Sequence, residues 1–113
     1  MVKSQIHEIF VSFTGTSIPE LSKLVGDYVA TNKLASKSLS IVNINATLTA
    51  SLGYRTDETA YPVSIESVAL NVFGADLDDR INRATTVISG DVICHSLYFD
   101  GNGIPSVAFL VHG

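Results

Sequence analysis

The chain has 113 residues and a formal net charge of −4; 46% of it is hydrophobic and only 16% is charged, against a usual charged share of about 25%. This excludes a disordered chain, which combines low hydrophobicity with high charge, and the single Cys94 excludes a disulfide scaffold. The seven basic residues form no cluster, so the footprint of a nucleic-acid binder is missing.

Met1 to Gln5 leads straight into a strand-like segment, without the apolar run of a signal peptide. No apolar run approaches the ~20 residues of a membrane span. With one lone cysteine, these features predict a cytoplasmic, reducing setting. Asn45-Ala46-Thr47 matches a glycosylation sequon. Without a signal peptide it reads as chance.

Ile6 to Phe13 is apolar on both alternating faces and predicts a strand covered on both sides. Thr14-Gly15-Thr16 breaks it. Ser17 and Glu20 have the spacing of a capping box, with Pro19 in the tolerant first turn. Leu21, Leu24, Val25, Tyr28 and Val29 then predict a helix to about Lys33. Val42, Ile44, Ala46, Leu48, Ala50 and Leu52 alternate with Asn43, Asn45, Thr47, Thr49 and Ser51. That pattern predicts one long strand with an apolar and a small-polar face. Leu39 and Ile41 are out of phase with it, which predicts a bulge near Ile41–Val42.

Gly53 to Thr59 reads as a hairpin loop and Tyr61 to Phe73 as the return strand, with a second bulge near Glu66–Ser67 where the apolar phase changes. Asp76 is placed to cap a helix whose stripe is Leu77, Ile81, Ala84 and Ile88. Asp78 and Asp79 suit its first turn, and Gly90 its C-terminal end. Val92 to Phe99 and Ile104 to Val111 are two final strands around Asp100-Gly101-Asn102-Gly103.

The expected fold is α+β, one domain over residues 1–113: a ferredoxin-like plait (βαββαβ) with an extra C-terminal strand, its antiparallel sheet covered by two helices on one face. Phe13-Thr14-Gly15 and Val72-Phe73-Gly74 each lead into a capped helix and then a strand, a faint internal echo. The last hairpin is apolar on both faces. Val92, Leu97 and Phe99, with Val107, Phe109 and Val111, therefore predict a self-interface, by sheet faces or by strand edges.

His7, His95 and His112 show no metal spacing, so no metal or other cofactor is expected. Cys94 has apolar neighbours and reads as a small buried thiol rather than a nucleophile. Gly15-Thr16-Ser17 lacks the lysine of a phosphate loop, and Asp76, Asp78 and Asp79 lack the spacing of a calcium loop. Tyr54, Arg55 and Tyr61 gather polar and aromatic groups in the longest loop, and Asn43, Asn45 and Thr47 form a polar face. Both suit a small neutral polar ligand. The sequence thus predicts a homo-oligomeric module with no catalytic constellation, structural or ligand-binding, and with neither nucleic-acid nor membrane partners. A small dimeric enzyme would use His7 or His95 as acid/base with Tyr98 or Arg55. A regulatory partner-binding domain would use an open strand edge.

Overall fold

A computed structural model describes residues 8–113; the expected start of the first strand and His7 lie outside the described residues. The fold is α+β, with two helices and two antiparallel three-stranded sheets. The elements are β1 (Ile9–Gly15), α1 (Ile18–Asn32), β2 (Ala35–Ile44), β3 (Thr47–Arg55), β4 (Val63–Ala69), α2 (Leu77–Ala84), β5 (Asp91–Phe99) and β6 (Pro105–His112). A short 3₁₀ turn, Thr85–Val87, follows α2. The first sheet has the order β1-β3-β2 and the second β4-β6-β5. Each sheet is therefore a βαββ unit whose third strand lies between the other two. The faint echo in the sequence corresponds to this repeat, not to the two βαβ halves of a plait.

Six strands in two sheets correct the single sheet expected. The long strand is in fact a hairpin. Asn45 and Ala46 both take left-handed backbone, φ 52° and 63°, the geometry of a two-residue hairpin turn. Ile44 pairs with Thr47, Val42 with Thr49 and Ser40 with Ser51. Folding the chain there swaps the phase of the pattern. Leu48, Ala50 and Leu52 share the buried face with Leu39 and Ile41, whereas Val42 and Ile44 turn outward. There is no bulge at Ile41–Val42; the irregularity lies between Ser36 and Ser38.

The bulge expected at Glu66–Ser67 is also absent. β4 keeps unbroken register with β6 from Val63 to Ala69. The phase change has another cause: Val63 and Ile65 belong to the core around α1, and Val68 and Leu70 to the core around α2. The second irregularity falls instead between Val92 and Cys94.

Helix α1 starts as its sequence requires. The Glu20 N–H donates to Ser17 Oγ at 3.3 Å, and the helix ends at Lys33 in left-handed backbone. Its stripe of Leu21, Val25 and Val29 is fully buried. Helix α2 is shorter than the stripe predicts. Asp76 makes no side-chain cap; its carboxylate pairs with Arg80 at 3.0 Å, an i,i+4 pair. Gly90 lies at the entry to β5, not at a helix end.

Strand β6 is the centre of the second sheet, and residues Ser106 to Val111 are all buried. Ala108 and Leu110 join the core of α1, while Val107, Phe109 and Val111 join Leu70 and Ala84 under α2. Those three side chains are thus covered by the chain's own helix, a cover that the sequence reading assigned to a second copy.

Candidate functional site

The two sheets meet where β2 runs beside β5. Side chains, not a backbone ladder, join them. The Ile41 N–H donates to Ser96 Oγ at 2.9 Å, and Asn43 Nδ2 donates to the carbonyls of Phe99 and Asp100. The backbone of Leu39 hydrogen-bonds the Cys94 thiol. These contacts pair rising numbers with rising numbers, so β2 and β5 run in the same direction.

The outer face of the first sheet is read from its register. Thr14, Thr49 and Val42 form one row across the three strands, and Ser12, Ser51 and Ser40 the next. Phe10 lies opposite Gly53 and Ile44 opposite Thr47. None of these residues is charged; the Glu8 carboxylate lies over Gly53 at one end of the face, 3.5 Å from Ser38 Oγ. Phe10 and Ile44 are the most exposed of them, at 62% and 60%. At the β2 side this face runs into a groove of about 210 Å³ between β2 and β5, lined by Val42, Phe73, Leu97 and Phe99. Phe73 and Phe99 stack at 5.4 Å, tilted by 59°. Leu97 and Phe99 remain exposed because α2 covers β6 and not β5.

The residues singled out in the sequence do not converge on one site. Asn43 is spent on the β2–β5 seam, Asn45 sits in the hairpin turn, and Thr47 lies on the outer face. Arg55 pairs with Asp57 and Glu58, and Lys37 with Glu58. This network of two cations and two carboxylates has no net charge. The hydrogen bond from Arg55 holds the Asp57 carboxyl below its usual range, and the one to Glu58 raises Lys37. Tyr54 stands edge-to-face on Tyr28, whose hydrogen bond is the main cause of a raised Tyr54 hydroxyl pKa. The Tyr61 hydroxyl donates to the Ser36 carbonyl at 2.9 Å, and its ring meets His112 at 4.4 Å.

His95 is exposed on β5, whereas the neighbouring Tyr98 faces the opposite way and is buried. Val92 is exposed at the start of the same strand. Among the described residues there is no group of three or more His, Cys, Asp or Glu side chains able to hold a metal. Among the described residues no helix is long and apolar enough to cross a membrane.

In two other clefts the charged groups are already engaged within the chain. One of about 570 Å³ lies at the start of α1 and includes Ser17, Tyr98 and Asp100. There Ser17 accepts from Glu20, and Asp100 Oδ1 accepts from the Asn102 and Ile104 N–H groups. The other, about 290 Å³ between β4 and α2, contains Arg80. That guanidinium is held by Asp76 and the Leu70 carbonyl.

Burial pushes the Cys94 thiol and the Tyr98 phenol up from their usual values; hydrogen bonds from Leu39 and from Ser67 and Ser106 act in the other direction. The folded chain thus keeps both protons at a pH where the unfolded chain releases them. Stability should hold below the unfolded values and fall as pH rises through about 8.5 for the thiol and about 10 for the phenol. Tyr98→Phe should keep more of its urea midpoint than the parent between about pH 10 and 11. Equal losses in the two proteins would remove the phenol from this account.

The chain matches no family model, no curated protein and no solved structure. Sequence reasoning placed Val42 and Ile44 in the core. The signal that could have turned them outward was the opposite phase of Leu39 and Ile41, together with an Asn at the head of a tight turn.

Proposed function

We propose that this chain is a cytoplasmic, non-enzymatic module that assembles with copies of itself through the outer face of the first sheet. The observation that carries this reading is an open sheet face of Ser, Thr and apolar side chains, with the Glu8 carboxylate confined to its Gly53 end, bordered by exposed Val42, Ile44, Leu97 and Phe99. A chain of net charge −4 repels its own copies, and a patch poor in charge is where that repulsion opposes contact least. Covering the remaining exposed part of those four side chains is worth about 1 kcal/mol each, so about 4 in all. Association costs about 4–15 kcal/mol. The four rim residues alone give weak contact, and a lasting assembly also needs the Ser/Thr rows and Phe10 to be covered. A standard interface takes about 800 Å² from each partner, roughly one-eighth of the 6529 Å² surface.

The ligand and enzyme readings have less support. The groove of about 210 Å³ is below the ~300–1,000 Å³ of ordinary ligand pockets, and in the cleft of about 570 Å³ at the start of α1 Ser17 and Asp100 are engaged within the chain. His95 and Tyr98 point to opposite sides of one strand, and Arg55 is held by two carboxylates.

The test is molar mass by light scattering across a dilution series, with Val42→Lys as the variant. Val42 is half exposed, so the lysine is tolerated by the fold yet puts a charge between the outer face and the Leu97–Phe99 side of the proposed contact. The parent should show a mass above one 12.1 kDa chain, and Val42→Lys should dissociate at a concentration at least about tenfold higher, a change of roughly 1.4 kcal/mol. A parent that stays at one chain throughout the micromolar range overturns the reading. An assembly unaffected by Val42→Lys moves the contact away from this face.

A further inference from the structure

We infer that β1 is an open strand edge that pairs antiparallel with β1 of a second copy, extending the first sheet across two chains. This deepens the self-association reading by adding a second, distinct surface.

The repeat itself exposes the gap. β1 and β4 are the first strands of the two units, and each lies at the outer edge of its sheet. The edge of β4 is covered by α1: the Ile65 N–H donates to Ser22 Oγ at 2.9 Å. The helix backbone comes so close there that a Cβ on Gly26 would stand 3.1 Å from the Val63 carbonyl oxygen. The equivalent cover for β1 would have to come from α2. That helix has eight residues against fifteen in α1, and it packs on β6 and Leu70 instead. Among the described residues β1 pairs with β3 alone, and no side-chain hydrogen bond ends on its backbone.

Nothing in β1 blocks another strand. Exposed edges are usually protected by charge, proline or a bulge. Ile9–Gly15 has no charged residue and no proline, and its register with β3 is unbroken.

The sequence of β1 also fits its own copy. With the twofold axis at Ser12, Val11 stands opposite Phe13 of the second copy, and Phe10 opposite Thr14. The first is an apolar pair on the α1 side, where Val11 and Phe13 are only partly buried. Phe10 and Ile9, both about half exposed or more, each gain a neighbour. β-branched and aromatic cross-strand pairs of this kind are favourable, and an isologous contact forms each of them twice. A strand from another protein could use the same backbone groups. A second copy is the occupant favoured here because pairing about Ser12 sets apolar against apolar and places no charged residue within Ile9–Gly15 of either copy, despite the acidic chain.

Amide hydrogen exchange along β1, read by NMR on the full chain at high and low concentration, tests this. In an edge strand only alternate amides are bonded to β3. The outward-facing set should exchange at least about tenfold more slowly at high concentration, where copies pair. Packing of sheet faces leaves those amides free. If the mass rises with concentration while the outward amides stay fast, the edge proposal falls and face contact stands. If the mass never exceeds one chain, both fall. If Val42→Lys keeps a dimer with protected β1 amides, the edge alone holds the copies. Protection that appears only on adding a foreign strand, and not with concentration, overturns the second copy as occupant.

Discussion

Replacing Phe109 with Ala should cost about 3–5 kcal/mol, whereas Leu97→Ala, on the neighbouring strand and the same face, should cost about 1. Phe109 is 1% exposed. Its strand lies between β4 and β5, and its ring is enclosed by α2, with Val107, Val111, Leu70 and Ala84 around it. No element can move in to fill the space, because the ladder on both sides fixes β6. Leu97 is 36% exposed and has only part of its area to lose. A domain of this size has about 5–15 kcal/mol in total, so Phe109→Ala sits near the unfolding threshold. Urea midpoints of the two variants check the contrast. Equal shifts would mean that α2 does not cover β6 and that the hairpin is covered from outside the chain.

That contrast also marks what the sequence could and could not convey. Both faces of the last hairpin are apolar, and composition alone shows that both need cover. Whether the cover is a helix of the same chain or a second copy depends on where α2 packs, which no local pattern encodes. Helix α1 was legible almost to the residue, because Ser17, Glu20 and the buried stripe are local signals. The β2–β3 hairpin was not. Its turn uses Asn45-Ala46 instead of a glycine pair, and alternation runs through it unbroken. A two-residue turn reverses which phase faces inward, so reading straight through it placed Val42 and Ile44 on the wrong side. The candidate face was hidden by that one error. The loop residues Tyr54, Arg55 and Tyr61 were legible as a cluster. Their mutual pairing with Tyr28, Asp57, Glu58 and Ser36 depends on contacts that the linear order does not hold.

Gly90→Ala should destabilise the fold by about 1–3 kcal/mol, and Gly101→Ala should change it by less than about 0.5. At Gly90 an added Cβ would stand 2.5 Å from Val111 Cγ1 and 2.6 Å from the His112 carbonyl oxygen. The Val111 side chain is buried and cannot swing away. The His112 backbone is fixed too, since His112 pairs with Val63 on one side and Asp91 on the other. The methyl group must therefore push the start of β5 off the end of β6. The requirement is close approach, not an unusual φ, which is why a glycine expected to end a helix is found beside a strand. At Gly101 nothing lies within 4 Å of an added Cβ, so that variant controls for the general effect of removing a glycine. Thermal unfolding of the pair reads the difference, and equal midpoints would show that β5 can shift without cost. The strain falls at the His112 end of the second sheet, away from Val42 and from β1. Gly90→Ala that remains folded should accordingly assemble at the same concentration as the parent, separating loss of stability from loss of contact.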